Sequence, residues 1–143
     1  MKKIITKNEK ETMSLGQIIG DKCMGGEIFS LTGNLGTGKT LLSKGIAKGL
    51  NIKKNVSSPT FIILNIYKTK TKEKKIKKFI HIDAYRLSSK RDLENIGFFD
   101  FLNDEENVIV IEWGNKIKKF LPQKAKIIKI KTLSENSREL TFS

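Results

Sequence analysis

The sequence predicts an α/β fold with parallel strands at its centre, and three stretches predict it. The first is a strand, loop and helix over 27–50. Glu27-Ile28-Phe29-Ser30-Leu31-Thr32 reads as a short, largely apolar strand. Gly33-Asn34-Leu35-Gly36-Thr37-Gly38-Lys39-Thr40 follows, and Thr40 to Leu50 sets Leu42, Ile46 and Leu50 on or near one helical face. The second is Val108-Ile109-Val110-Ile111, an unbroken apolar run that argues for burial on both faces, as in a parallel sheet. The third is a pair of strand-like runs, Phe61 to Tyr67 and Ile76 to Asp83, joined by a lysine-rich tip in the manner of a hairpin.

The loop at 33–40 is the full G-x-x-x-x-G-K-[ST] pattern. Its glycines allow the tight turn that points successive N–H groups at phosphate oxygens. Lys39 can reach outer phosphates, and the Thr40 hydroxyl can ligate Mg²⁺. Strand, loop and helix stand in the order that sets a helix N-terminus against phosphate. A glycine-rich turn with an incidental lysine would not need that order.

Composition bounds the rest. A chain of 143 residues suits a single domain, 1–143, with one sizeable core. No apolar run approaches the roughly 18 residues of a spanning helix. Met1-Lys2-Lys3-Ile4-Ile5 is followed by polar sequence, unlike a signal peptide. The single Cys23 excludes an internal disulfide and a multi-cysteine metal site, so a cytoplasmic protein with no membrane role is the default. The net charge of +13 suits nucleic acid or an acidic partner. All but three of the 28 basic residues are lysines, whereas arginine is preferred for planar, bidentate recognition. The charge is therefore read as a surface property, which says nothing about catalysis.

In chain order, Lys2 to Thr6 reads as a short edge strand. Asn8 or Thr6 caps a helix whose stripe is Thr12, Leu15, Ile18 and Ile19, ending before Gly25-Gly26, with Cys23 in its last turn as a small buried residue. Gly45 interrupts the second helix at a cost of about 1 kcal/mol relative to Ala, which close packing on a neighbour would explain. Asn51 to Asn55 is a polar turn. In Val56-Ser57-Ser58-Pro59-Thr60-Phe61, Pro59 biases Ser58 towards extended geometry. That stretch is either a loop sensing the outer phosphate or an ordinary approach to a strand. Lys68 to Lys78 is either a solvated hairpin whose lysines discourage edge pairing or a docking patch for RNA or an acidic protein.

Two apolar strands end in acids. Phe79-Ile80-His81-Ile82-Asp83 ends in Asp83, with His81 on the same strand face, and Val108 to Trp113 carries Glu112. An acid at a strand end can approach Mg²⁺ directly or through water. A lone His81 is no metal site; orienting the loop suits it better. Trp113 packs either beside the site or in the core. Ser88 or Ser89 starts a helix with Leu93 and Ile96 inside; Gly97 breaks it, and Phe98 to Leu102 adds a turn. Ile117, Phe120 and Leu121 close a short helix before Pro122. Lys126 to Lys131 and Leu140 to Phe142 read as partner strands around a Ser134-Glu135-Asn136-Ser137 turn.

Taken together, GNLGTGKT at 33–40, SSPTF at 57–61, HIDAYRL at 81–87 and IEW at 111–113 resemble the TsaE (YjeE) family over about residues 10 to 122. Thr12 and Gly16 fit its opening helix. Members are small P-loop ATPases of bacterial tRNA threonylcarbamoyladenosine synthesis. The resemblance implies a P-loop NTPase-like three-layer fold, with a mainly parallel sheet, few flanking helices and an antiparallel hairpin. It implies ATP and Mg²⁺ as ligands, and slow hydrolysis that depends on partners. It implies the TsaB–TsaD complex as partner, with tRNA met through that complex. Carried across, Lys39 meets phosphate, Thr40 and Glu112 hold Mg²⁺, Asp83 is a catalytic candidate and Thr60 is switch-like. Nucleotide contacts extend over Thr12, Asn34, Leu35, Gly36, Thr37, Gly38, Lys39, Thr40, Leu41 and Trp113. Asn34 stands where Asp is usual, which removes a negative charge near the triphosphate. Gly114 stands where Pro is usual, which loosens the loop after the acid. The other reading is a nucleotide-dependent binding module or small P-loop kinase with a different partner. A kinase would need an arginine-bearing lid, and only Arg86, Arg91 and Arg138 are available.

Overall fold

The computed structural model describes residues 1–57, 63–71 and 73–143. Its strands are β1 (Lys2–Thr6), β2 (Ile28–Thr32), β3 (Leu64–Lys68), β4 (Lys78–Asp83), β5 (Asn107–Glu112), β6 (Lys126–Thr132) and β7 (Arg138–Phe142). The helices are α1 (Glu9–Lys22), α2 (Lys39–Gly49), α3 (Lys90–Asn95) and α4 (Phe98–Leu102), with a 3₁₀ segment over Gly114–Phe120. The seven strands form one mixed sheet in the order β1-β7-β6-β2-β5-β4-β3.

The centre is parallel and both margins are antiparallel. β2 runs parallel to β5 and β6, and β4 parallel to β5. β3 pairs antiparallel with β4, β6 with β7, and β7 with β1. The sheet is therefore less parallel than expected. The consecutive strands β3–β4 and β6–β7 are joined by short connections, which allow only antiparallel neighbours, whereas parallel pairs need a crossover; β1 joins β7 from the other end of the chain. β5 is buried along its whole length, as its apolar run requires. Of the two apolar clusters, one joins Phe29, Leu31, Val108 and Val110 to α1 and α2. The other joins Ile28, Ile80, Ile82, Ile109 and Ile111 to α3, α4 and the 3₁₀ segment.

Asn8 caps α1, its side chain accepting from Glu11 N at 2.8 Å. Ser89 caps α3 in a reciprocal box with Asp92. The buried positions of α1 are Thr12, Gly16 and Gly20; Ile18, expected on the stripe, is exposed. The reason is a glycine seam. A Cβ on Gly16 would stand 2.7 Å from Leu42 O, and one on Gly45 would stand 2.9 Å from Gly16 Cα. The helices approach backbone to backbone, so the seam is formed by residues without side chains rather than by an aliphatic stripe. This explains Gly45 in the interior of α2.

The hairpin lysines are partly tied to the protein itself. Lys75 pairs with Glu105 at 2.7 Å, Lys77 with Glu106 at 2.8 Å, and Lys74 Nζ donates to Asp21 O. Lys72 lies outside the described residues. No helix among the described residues is long and apolar enough to cross a membrane.

Candidate functional site

The site forms where β2 gives way to α2, at the carboxyl ends of the parallel strands. The loop turns on left-handed glycines: φ is 79° at Gly36 and 104° at Gly38. Those values favour glycine, because a Cβ collides with the backbone there. Thr37 N donates to Asn34 O at 3.3 Å, and Thr37 Oγ1 to the same carbonyl at 2.9 Å. Leu35 is at the exposed tip, and Leu41 is half-buried in the first turn of α2. The side chain of Asn34 is exposed; its carbonyl carries its contacts.

Lys39 folds back under the loop. Its ammonium donates to Gly33 O at 2.7 Å and Asn34 O at 2.8 Å, and lies 4.0 Å from the centre of the Trp113 ring. It is only 5% exposed. Burial pushes its pKa below the ordinary lysine value, while Glu112 and then Asp83 pull it back up. The ammonium thus sits between loop carbonyls, an aromatic face and two acids, and the loop is shaped around a cation with further charge to give to an anion.

Glu112 is the hub of the acidic side. It is 3% exposed and stands opposite Asp83 in the β4–β5 register. Thr40 Oγ1 donates to Glu112 Oε1 at 2.8 Å, across 72 residues of chain. His81 Nε2 hydrogen-bonds Glu112 Oε2, and His81 is fully buried with its Nδ1 unpartnered among the described residues. Asp83, less buried, accepts from Tyr85 N at 3.0 Å. Hydroxyl and carboxylate oxygens 2.8 Å apart are hard donors. Two protein oxygens beside a phosphate-shaped loop match Mg²⁺, which usually keeps its remaining positions for water and phosphate.

Trp113 adopts φ 59°, ψ 37°, a left-handed conformation unusual for a bulky side chain. Such strain persists where surrounding contacts over-determine it. Here the indole is wedged between Lys39 and the Tyr85 ring, whose centroid is 5.0 Å away. The next residue holds the turn. Gly114 is buried, and a Cβ on it would come within 2.8 Å of Ser30 Cβ. The segment after the acid is packed rather than loosened, because β2 passes directly beneath it.

The expected residues thus fall into three groups. Lys39, Thr40, Asp83, Glu112 and Trp113 converge with the loop. Thr12 is buried, its hydroxyl 2.7 Å from that of Thr6, whose strand partner is Arg138. Thr60 lies outside the described residues. Arg138 is an addition. Its Nε donates to Thr37 O at 2.8 Å, and Nη1 gathers Ser134 O, Glu135 O and Ser137 O. It braces the loop from β7. Its rarity as an arginine in a lysine-rich chain was the one available signal, since a planar fork does what an ammonium cannot.

A strand, a left-handed glycine loop and a helix, faced by two acids on adjacent strand ends, define a single-sheet α/β protein with its candidate site at the carboxyl ends of the parallel strands. Residues 6–140 match the family described as threonylcarbamoyl adenosine biosynthesis protein TsaE, and the chain belongs to that family. The tRNA threonylcarbamoyladenosine biosynthesis protein TsaE of Bacillus subtilis is 33% identical over 96% of this chain and 82% of its own. That of Treponema pallidum is 32% identical over 97% and 98%. That of Rickettsia felis is 36% identical over 94% and 75%. The crystal structure of Bacillus subtilis YdiB superposes with a TM-score of 0.77 at 30% identity, over 99% of this chain and 83% of that one.

Proposed function

We propose that this protein is the P-loop ATPase of tRNA threonylcarbamoyladenosine synthesis, binding Mg²⁺·ATP at the 33–40 loop and serving the TsaB–TsaD complex. The observation that carries the reading is the 2.8 Å bond from Thr40 to Glu112, which joins the end of the glycine loop to a strand-end acid. Backbone N–H groups of the loop and the start of α2 bind the phosphates. Lys39 neutralises their outer charge; it exchanges loop carbonyls for phosphate oxygens while Trp113 shields it from water. Thr40 and Glu112 hold the Mg²⁺, whose role is to offset charge on the phosphate oxygens. Asp83, more accessible than Glu112, positions the attacking water. Turnover is slow alone and rises with partners, so hydrolysis resets the TsaB–TsaD complex between cycles. The tRNA is met through that complex, in the cytoplasm.

The test is Lys39→Ala. Isothermal titration with ATP and Mg²⁺ should show affinity falling at least about tenfold, the loss expected when a charge-assisted contact to phosphate is removed. Hydrolysis stimulated by the TsaB–TsaD pair should disappear while the melting curve remains cooperative. Equal affinity and equal stimulated hydrolysis in wild type and variant would reject the reading.

A further inference from the structure

We propose that His81 is a positioning residue for the cation site, an inference that rests on the Mg²⁺·ATP reading. Its Nε2–H fixes Glu112, and Glu112 in turn fixes the hydroxyl of Thr40. The imidazole is fully buried on β4, stacked on Phe79 with centroids 6.1 Å apart, and its neighbours in the ladders are Asn65 and Val110. Nε2 is at Glu112 Oε2, and Nδ1 has no partner among the described residues.

That pattern selects a tautomer. A neutral imidazole carries one N–H and one bare nitrogen. With the proton on Nε2, it is donated to the carboxylate, and the buried Nδ1 forgoes only an acceptor contact. With the proton on Nδ1, a buried N–H has no acceptor among the described residues and a lone pair faces the carboxylate. The first arrangement satisfies the strong donor and the second does not.

The consequence reaches the cation. Each oxygen of Glu112 receives one donor, His81 on Oε2 and Thr40 on Oε1. The only hydroxyl proton of Thr40 is then committed, and what it turns outward is lone pairs. Without His81, Glu112 Oε2 loses its partner in a buried setting, and the carboxylate is free to turn from Thr40. Loss of a group behind a metal ligand typically weakens metal affinity about 10–100-fold.

His81 is the only histidine in the chain, so its ring nitrogens can be read without assignment in long-range ¹H–¹⁵N spectra of labelled wild type. We expect the Nε2–H tautomer, with and without Mg²⁺·ATP; the Nδ1–H tautomer would overturn the proposal. Separately, ATP binding is measured across a Mg²⁺ series and in EDTA for wild type, His81→Gln, His81→Asn and His81→Leu. Glutamine places an amide N–H near the position of Nε2, and asparagine stops short of it. We expect Leu and Asn to raise the half-saturating Mg²⁺ about tenfold, Gln to stay within roughly threefold of wild type, and binding in EDTA to be unchanged in all. Wild-type Mg²⁺ dependence in His81→Leu, or equal losses in all three variants that persist in EDTA, would refute positioning. Wild type that binds no ATP in Mg²⁺ would instead overturn the functional reading, and this control is read first.

Discussion

Gly16→Ala tests how α2, and with it Lys39 and Thr40, is seated on the sheet. A Cβ at Gly16 would meet Leu42 O at 2.7 Å, Gly45 Cα at 2.9 Å and Ile46 N at 3.0 Å. All three are backbone atoms of α2, so no rotamer change relieves the contact. Restoring ordinary separation requires α1 and α2 to part by roughly 0.6 Å. In an open helix the same substitution would gain about 1 kcal/mol. Overpacking typically costs about 1–3 kcal/mol, and the rigid neighbours place this case at the upper end. The net expectation is a loss of about 1–2 kcal/mol, which for a chain of this size lowers Tm by about 3–8 °C. Leu42 stands just past Thr40, so the displacement also strains the Thr40–Glu112 bond, and Mg²⁺-dependent ATP affinity should fall several-fold. Thermal unfolding by circular dichroism measures the first effect. Ser14→Ala, on the exposed face of α1, is the control and should be neutral or gain a few tenths of a kcal/mol. Gly16→Ala melting at or above wild type would mean that propensity outweighs the seam, and would refute the argument.

Further expectations concern the acids, the thiol and the hairpin. Glu112→Gln should weaken Mg²⁺-dependent ATP binding about 10–100-fold, more than Asp83→Asn. Asp83→Asn should keep nucleotide but lose about 100-fold in stimulated turnover; a larger Mg²⁺-dependent binding defect in Asp83→Asn would reverse the assignment. The Cys23 thiol is pushed up to about 12, chiefly by burial, and donates to Ile19 O at 3.3 Å. Because only the thiolate alkylates, iodoacetamide at pH 8 should leave Cys23 unmodified in native protein and label it in urea; fast native labelling would contradict its burial. Neutralising Lys70, Lys72, Lys74 and Lys75 should leave basal hydrolysis intact and reduce the salt dependence of binding to TsaB–TsaD. Unchanged binding across a salt series would make the hairpin a solvated edge.

The glycine loop, the two strand-end acids and the apolar run of β5 were legible because each is local. Period, caps and left-handed glycines act over a few residues, and a single stretch of chain displays them. The stripe of α1 was misread at one position: Thr12 is buried and Leu15 and Ile19 pack against the core, but Ile18 is exposed, and Gly16 and Gly20 complete the buried face. A glycine seam is visible in sequence only when the facing helix is known, since Gly16 gains its meaning from Gly45.

By itself, the sequence determined that a strand, a glycine loop and a helix stand in order, and it singled out Lys39, Thr40, Asp83 and Glu112 as candidates. Tertiary structure decided how they meet. Thr40 reaches Glu112 across 72 residues, His81 reaches it across 31, and Arg138 reaches Thr37 across 101. No local pattern encodes such separations, because strand order and register set them. The same holds for the strained turn at Trp113, which depends on Lys39, Tyr85 and Ser30 arriving from three other elements. Pairing of distant strands fixes which donors face which acceptors, and that is a property of the folded sheet rather than of any one segment.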